Sequence, residues 1–354
     1  MSAPAIRVAI VDDSAFMRIA LRQMLGRIEG VEVVAEGRDG AEAVEIAARH
    51  APDLMTLDVL MPRMNGIAAL ERIMAEHPCP VIMISTETLD GAETTMRALD
   101  LGAIDFIAKT TDMARLDMAA IEQNLEEKVR YWARQDRRTL RRAKAAQRQL
   151  ARPPVEPSAI PELLVIAAST GGPRAVTELV CAMRETRCPV VVVQHMPAGF
   201  TADFARHLAV RSSRDVVEAG EGLVLVPGLV AVMPGGINSE LARDDRGRLT
   251  VRQSGDGSGA VHPCADIVLE SAAPLVEHAV AVVLTGMGDD GARGLAGFVR
   301  RDWPVLVQDP ASCVVAGMPQ AAIAAGAASE VLTLAAMARR LNGWLARPSQ
   351  EEQP

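Results

Sequence analysis

Short, largely apolar runs recur along this chain, and most are followed by stretches with helical spacing. One series occupies residues 6–11, 31–35, 54–57, 81–84 and 103–108. A second occupies 163–168, 190–193, 229–233, 279–284 and 305–307. Apolar runs this short are strand-sized, and alternation of strand with helix specifies a parallel α/β sheet. Helices are expected between them, for example over 15–25 and 41–49. The first series predicts a flavodoxin-like (βα)5 open sheet, and the second a doubly wound, mostly parallel α/β domain.

Between the two series the texture changes. Residues 112–150 hold few strand formers, and EEKVRYWARQDRRTLRRAKAAQRQL predicts a long exposed helix. ARPPVEPSAIP (151–161) follows, a proline-rich stretch expected to act as a semi-rigid spacer. The chain therefore divides into a domain over 1–125, a helical and Pro-rich linker over 126–160, and a second domain over 161–347. A length of 354 residues is also too great for one ordinary core.

Composition removes several classes of function. Residues 137–152 carry seven basic side chains, but no aromatic residues interleave them and no helix-turn-helix pattern follows. That run reads as a solvated linker face, and a net charge of −8 also argues against nucleic-acid binding. No stretch approaches the ~20 apolar residues of a membrane span, so membrane insertion is not expected. The N-terminus lacks the basic and apolar regions of a secretory signal. Five scattered cysteines without a CxxC pair predict reduced thiols and a cytoplasmic location. Six histidines, none at ligand spacing, argue against zinc.

Ligands of an open parallel sheet collect at the carboxyl ends of its strands. In the first series those ends carry Asp12 and Asp13, Asp58, Ser85 and Lys109. Each aspartate alone could simply cap the next helix. Three carboxylates on one edge, however, call for a cation, and an all-oxygen set favours Mg²⁺. A carboxylate beside it can attack a phosphoryl group, with a hydroxyl and a lysine supplying neutralising contacts. The segments VDDS, TLDVLMPRMNG (56–66), IST (84–86) and AIDFIAK (103–109) resemble the receiver domain of two-component response regulators. The resemblance implies that Asp58 is the phosphoacceptor and that Asp12, Asp13 and Asp58 hold Mg²⁺. It implies that Ser85, Phe106 and Lys109 are the switch residues. Thr110 stands where the family usually has proline.

In the second series LLVIAA runs into STGGPR (169–174), where Gly171 and Gly172 allow a tight turn and Pro173 suits the start of a helix. Ser169 could be a plain helix cap, part of a phosphate cradle, or a nucleophile; no GxxxxGK or GxGxxG pattern supports the cradle. His195 follows the next strand, as either a structural residue or a base. TGMGDDG (285–291) follows a third strand and offers two adjacent acids. Ser, His and Asp on one rim would make a serine hydrolase, although chain order and the absence of GxSxG separate it from the α/β-hydrolases.

VIAASTGGP (165–173), VVQHMPAGFT (192–201), VLTGMGDDG (283–291) and DPASCVVAGMP (309–319) resemble the effector domain of the chemotaxis protein-glutamate methylesterases, the CheB family. The resemblance implies Ser169 as nucleophile, His195 as base and Asp290 as its orienting acid, with Asp289 at the variable position. It implies that Met287, helped by Thr170, supplies the oxyanion site, and that the esterase itself needs no cofactor. Three segments depart from the family pattern: Ala167 replaces a glycine, PGGINS (234–239) replaces a segment like PGDRHM, and HPCAD (262–266) one like RPSVD.

The implied function is hydrolysis of glutamate methyl esters, with glutamine deamidation, on methylated chemoreceptor cytoplasmic domains. A CheA-like histidine kinase would be the phosphodonor, and the unphosphorylated receiver would inhibit. Two other readings stand beside it. One is an esterase of the same type acting on a non-chemotaxis signalling protein, suggested by the altered segments. The other is a non-enzymatic response-regulator binding module.

Overall fold

The computed structural model describes residues 5–86, 89–109, 121–122, 125–126, 128–130, 154–254 and 262–345. Thr110, most of the expected linker helix and the polar tail lie outside them, as does the side chain of Ser85. The chain divides into two compact units, Met1–Thr139 and Leu140–Pro354.

The first unit is a parallel sheet of five strands: β1 (Ile6–Val11), β2 (Val31–Gly37), β3 (Leu54–Asp58), β4 (Val81–Thr86) and β5 (Asp105–Lys109). Their order is β2-β1-β3-β4-β5, so the order of strand addition switches between β1 and β3. Helices α1 (Ala15–Gly26), α2 (Gly40–His50), α3 (Gly66–Glu76) and α4 (Leu89–Leu101) connect the strands. Every residue of β3 is buried, as helices on both faces of a parallel sheet require. Ile121, Leu125 and Val129 recur at helical spacing and pack into the same core as β1 and α1.

The second unit holds a seven-stranded sheet in which every pairing is parallel. Its strands are β6 (Leu163–Ala168), β7 (Val190–Gln194), β8 (Val216–Glu218), β9 (Val230–Val232), β12 (Ala279–Val283), β13 (Val305–Gln308) and β14 (Glu330–Leu332). The order is β14-β13-β12-β6-β7-β9-β8. The chain starts at β6, builds outward through β7, and later returns to build the other side from β12. The switch point therefore falls at β6, flanked by β7 and β12. A separate antiparallel hairpin joins β10 (Asn238–Arg243) to β11 (Leu249–Ser254).

Around the sheet lie α5 (Gly172–Ala182), α6 (Phe200–Ser212), α7 (Ala265–Ala272), α8 (Ala296–Arg300), α9 (Gly317–Ala324) and α10 (Leu334–Leu345). Beneath this rim the core draws on β6, β7, β12 and β13, with Phe298 and Trp303 stacked edge to face at 5.1 Å.

Candidate active site

The carboxyl rim of the first sheet gathers a compact charged centre. Asp12, just past β1, and Asp58, ending β3, are both buried, whereas Asp13 is exposed. Lys109, ending β5, places its Nζ 2.8 Å from Asp12 Oδ2 and 3.0 Å from Asp58 Oδ1. Carboxylate oxygens of Asp12, Asp13 and Asp58 lie within 4.8 Å of one another. One lysine offsets three acids only in part, and the all-oxygen donor set fits a divalent cation such as Mg²⁺.

Burial pushes Asp58 up to about 6; Lys109 pulls against that, while Asp12 and Asp13 add to it. Burial also works against the Lys109 charge, but Asp58 and Asp12 outweigh it and raise the lysine above its ordinary value. Ser85 pairs with Ala108 in the β4–β5 ladder, and Phe106 is buried in β5.

Capping does not account for these acids. The cap of α1 is Ser14, whose Oγ accepts from Met17 N, while Asp12 Oδ1 accepts from Ser14 N. Arg18 holds the backbone carbonyls of Asp12 and Asp13 at 2.8 and 3.1 Å. Gly66 is obligatory for a local reason: a Cβ there would fall 2.0 Å from the Asp58 carbonyl oxygen.

The rim of the second sheet is organised around β6. Ser169 follows β6, His195 follows β7, and Asp290 sits in the loop after β12. His195 Nε2 lies 2.7 Å from Asp290 Oδ2. Asp289 is exposed. The ring nitrogen facing the acid is thus Nε2; in the neutral tautomer that donates this contact, the lone pair stands on Nδ1.

Asp290 is held by backbone as well. Ala265 N donates to Oδ2 at 2.6 Å; Asp266 N and Gly291 N donate to Oδ1 at 2.9 Å each. The first two amides open α7, so the carboxylate caps that helix from a distant loop and meets the positive end of its dipole. Cys264 Sγ adds a donor at 3.2 Å from Oδ1. Burial works against the Asp290 charge, yet the His195 contact and these amides hold its carboxyl down to about 2.

Ser169 is half-buried and does not cap α5; that position belongs to Gly171 at φ +75°, with Pro173 in the first turn. Among the described residues, no hydrogen bond joins Ser169 Oγ to His195. The nearby loops leave little room. A Cβ at Gly286 would lie 2.2 Å from Met318 Sδ and 2.9 Å from Ser169 Cβ. Thr285 Oγ1 lies 2.9 Å from Thr170 O and 3.1 Å from Val315 O, and accepts from Val315 N at 2.9 Å. The backbone N–H of Met287 has no acceptor among the described residues, and the adjoining Gly288 turns at φ +80°.

Several contributors carry no motif signal. Gln194 Nε2 donates to the carbonyls of Ser169 and His195. Gln308 Oε1 accepts from Thr285 N at 2.8 Å. Asn238 Oδ1 accepts from Cys264 N at 3.2 Å and lies 3.0 Å from His262 Nδ1. The two altered segments, PGGINS and HPCAD, therefore meet each other directly beside Asp290. Ala167, the third departure, sits inside β6, paired with Val193 and Val283.

Comparison with known proteins accords with both rims. Residues 164–341 match the CheB methylesterase family, and residues 8–121 match the response regulator receiver domain. The chain is 39% identical over 363 residues to protein-glutamate methylesterase/protein-glutamine glutaminase 1 of Oleidesulfovibrio alaskensis, covering 95% of this chain and 98% of that protein. It is 41% identical over 335 residues to the protein-glutamate methylesterase/protein-glutamine glutaminase of Pyrococcus abyssi, covering 93% and 90%. The crystal structure of the Thermotoga maritima CheB methylesterase catalytic domain matches with a TM-score of 0.50 at 34% identity, covering 52% of this chain and 98% of that one. The chain belongs to the CheB methylesterase family, with a response-regulator receiver domain ahead of its methylesterase domain.

Proposed function

We propose that this chain is a receiver-regulated protein-glutamate methylesterase and protein-glutamine glutaminase, acting in the cytoplasm on the signalling domains of chemoreceptors. The observation that carries the reading is the His195–Asp290 contact at 2.7 Å, on the rim where β6 delivers Ser169. Ser169 Oγ attacks the ester carbonyl of a methylated glutamate, and its proton passes to His195 Nδ1. Asp290 fixes the tautomer and stabilises the imidazolium that forms. The Met287 N–H donates to the developing oxyanion, with Thr170 beside it.

His195 then protonates the departing methoxide, methanol leaves, and Ser169 holds the glutamate as an acyl ester. Water, deprotonated by His195, breaks that ester and regenerates the serine. With glutamine the leaving group is ammonia and the remaining steps are the same.

Regulation is assigned to the first rim. Asp58 accepts a phosphoryl group from a CheA-like histidine kinase, Lys109 and Ser85 contact the transferred group, and Phe106 responds to it. Asp12, Asp13 and Asp58 would hold Mg²⁺, which supplies charge neutralisation for the phosphoryl oxygens.

The decisive test is methanol release from methylated receptor membranes. Ser169→Ala abolishes it, and a variant that retained turnover would overturn the nucleophile assignment. The altered PGGINS and HPCAD segments, which meet at Asn238 and His262 beside Asp290, motivate a second reading, an esterase acting on a non-chemotaxis signalling protein. Assaying receptors encoded beside this gene against unrelated methylated proteins separates the two.

A further inference from the structure

Gln194 ends β7 immediately before His195 and is 1% exposed. The residues ahead of it, Val190–Val193, are wholly apolar and buried, so an apolar side chain would complete the strand. Instead its Nε2 lies 2.9 Å from the carbonyl oxygen of Ser169 and 3.1 Å from that of His195. One amide group spends both its protons on the two residues that perform the chemistry. Its orientation is forced, because turning the amide over would set Oε1 against two carbonyl oxygens.

This arrangement carries a cost that packing alone would not select. Oε1 is buried and has no hydrogen-bond partner among the described residues. It lies against Gly172, where an added Cβ would come within 2.1 Å of it. The backbone shows what the side chain is needed for. The last backbone bond between these strand ends runs from His195 N to Ala168 O at 3.0 Å. Past that point Ser169 enters the turn into α5, its carbonyl accepting from Gly172 N at 2.7 Å, while His195 leaves toward Pro197. Gln194 continues the ladder one rung further with its side chain, exactly where the backbones separate.

We propose that Gln194 is a positioning residue for hydrolysis, fixing the separation between the backbones of Ser169 and His195. The inference rests on the assignment of those residues as nucleophile and base. Displacements of about 1 Å in such a pair can cost about 100-fold in rate.

The test uses the full-length chain, methylated receptor membranes and a small-molecule phosphodonor. Gln194→Met keeps the volume and removes both donors. It is expected to lower kcat by about 10- to 100-fold with KM within about twofold. The rate at which a fluorophosphonate modifies Ser169 falls in step, while the unfolding midpoint stays near wild type. Gly172→Ala perturbs the same contact from the other side by crowding Oε1, and decides the matter should Gln194→Met fold poorly. It too lowers kcat, and the double variant falls no further than the worse single one. A Gln194→Met enzyme with wild-type kcat beside an inactive Ser169→Ala overturns the proposal, as does a change confined to KM. Activity retained by Ser169→Ala overturns the esterase assignment itself.

Discussion

Asp58 and Asp290 occupy matching places, each on the carboxyl rim of a parallel sheet beside its switch point, and both are largely removed from solvent. Their carboxyls nevertheless move in opposite directions, Asp58 up to about 6 and Asp290 down to about 2. Burial opposes the charge in both cases. What differs is the company. Asp58 shares its lysine with Asp12 and lies within reach of Asp13 as well, so like charge reinforces burial. Asp290 faces a histidine, the amides that open α7 and a cysteine thiol, all of them able to donate to its carboxylate. The proposed roles match this difference: the carboxylate proposed to accept a phosphoryl group is crowded by like charge, and the one proposed to stay charged through a catalytic cycle is saturated with donors.

The contrast can be broken most forcefully at Asp290. Asp290→Asn removes the charge that fixes the His195 tautomer, and kcat for methanol release should fall by about 10³- to 10⁴-fold. A loss under tenfold would mean that Asp290 is only a helix cap. Stability gives the next test, with opposite signs at the two sites. The Asp290 carboxyl is lowered from 3.8 to about 2, so its ionised form favours the fold. That contribution is complete about a unit above 3.8, near pH 5, and is lost as pH falls through about 2; it is on the order of 2 kcal/mol. The gap in unfolding free energy between wild type and Asp290→Asn should narrow by most of that amount between pH 5 and pH 2. Asp58 is raised, so its ionised form opposes folding at neutral pH. Asp58→Asn, measured in chelator at pH 7, should raise the melting temperature of the receiver transition; a lowered one would show that Lys109 outweighs the crowding. The smallest effect belongs to Asp289→Asn, whose exposed side chain lies off the dyad. Turnover within about twofold of wild type is expected, and a severe loss there would reverse the roles of the two aspartates.

Much of this architecture was legible from residue order. Strands covered on both faces produce apolar runs, nearly unbroken in β6, β7 and β12 and interrupted only by Arg7 in β1 and by Thr56 and the terminal Asp58 in β3, which is why these strands stand out in the sequence. The edge strands β8 and β14 are three residues each and leave no such run. The hairpin of β10 and β11 lies apart from the large sheet and mixes charged with apolar residues, so it was not anticipated. The strand-end positions pointed to Ser169, His195 and the GDDG loop as residues of one rim.

What surrounds them was not visible. The donors to Asp290 are mainly backbone amides from a helix some 25 residues earlier, and an amide has no residue identity to read. Gln194 and Gln308 look in sequence like polar ends of apolar strands. The meeting of Asn238 with His262 depends on a turn of chain between them that only the folded molecule supplies.

The Thr285 hydroxyl has a consequence for motion. It touches the carbonyls of Thr170 and Val315 and receives the Val315 amide, so one oxygen atom ties together the loops after β6, β12 and β13. Loops linked at a single buried point do not open independently; breaking the contact in one exposes unpaired groups in the other two. The turn carrying Ser169, the loop carrying Asp290 and the DPASC segment should therefore breathe as a single cooperative unit, and whatever loosens one of them loosens the whole rim.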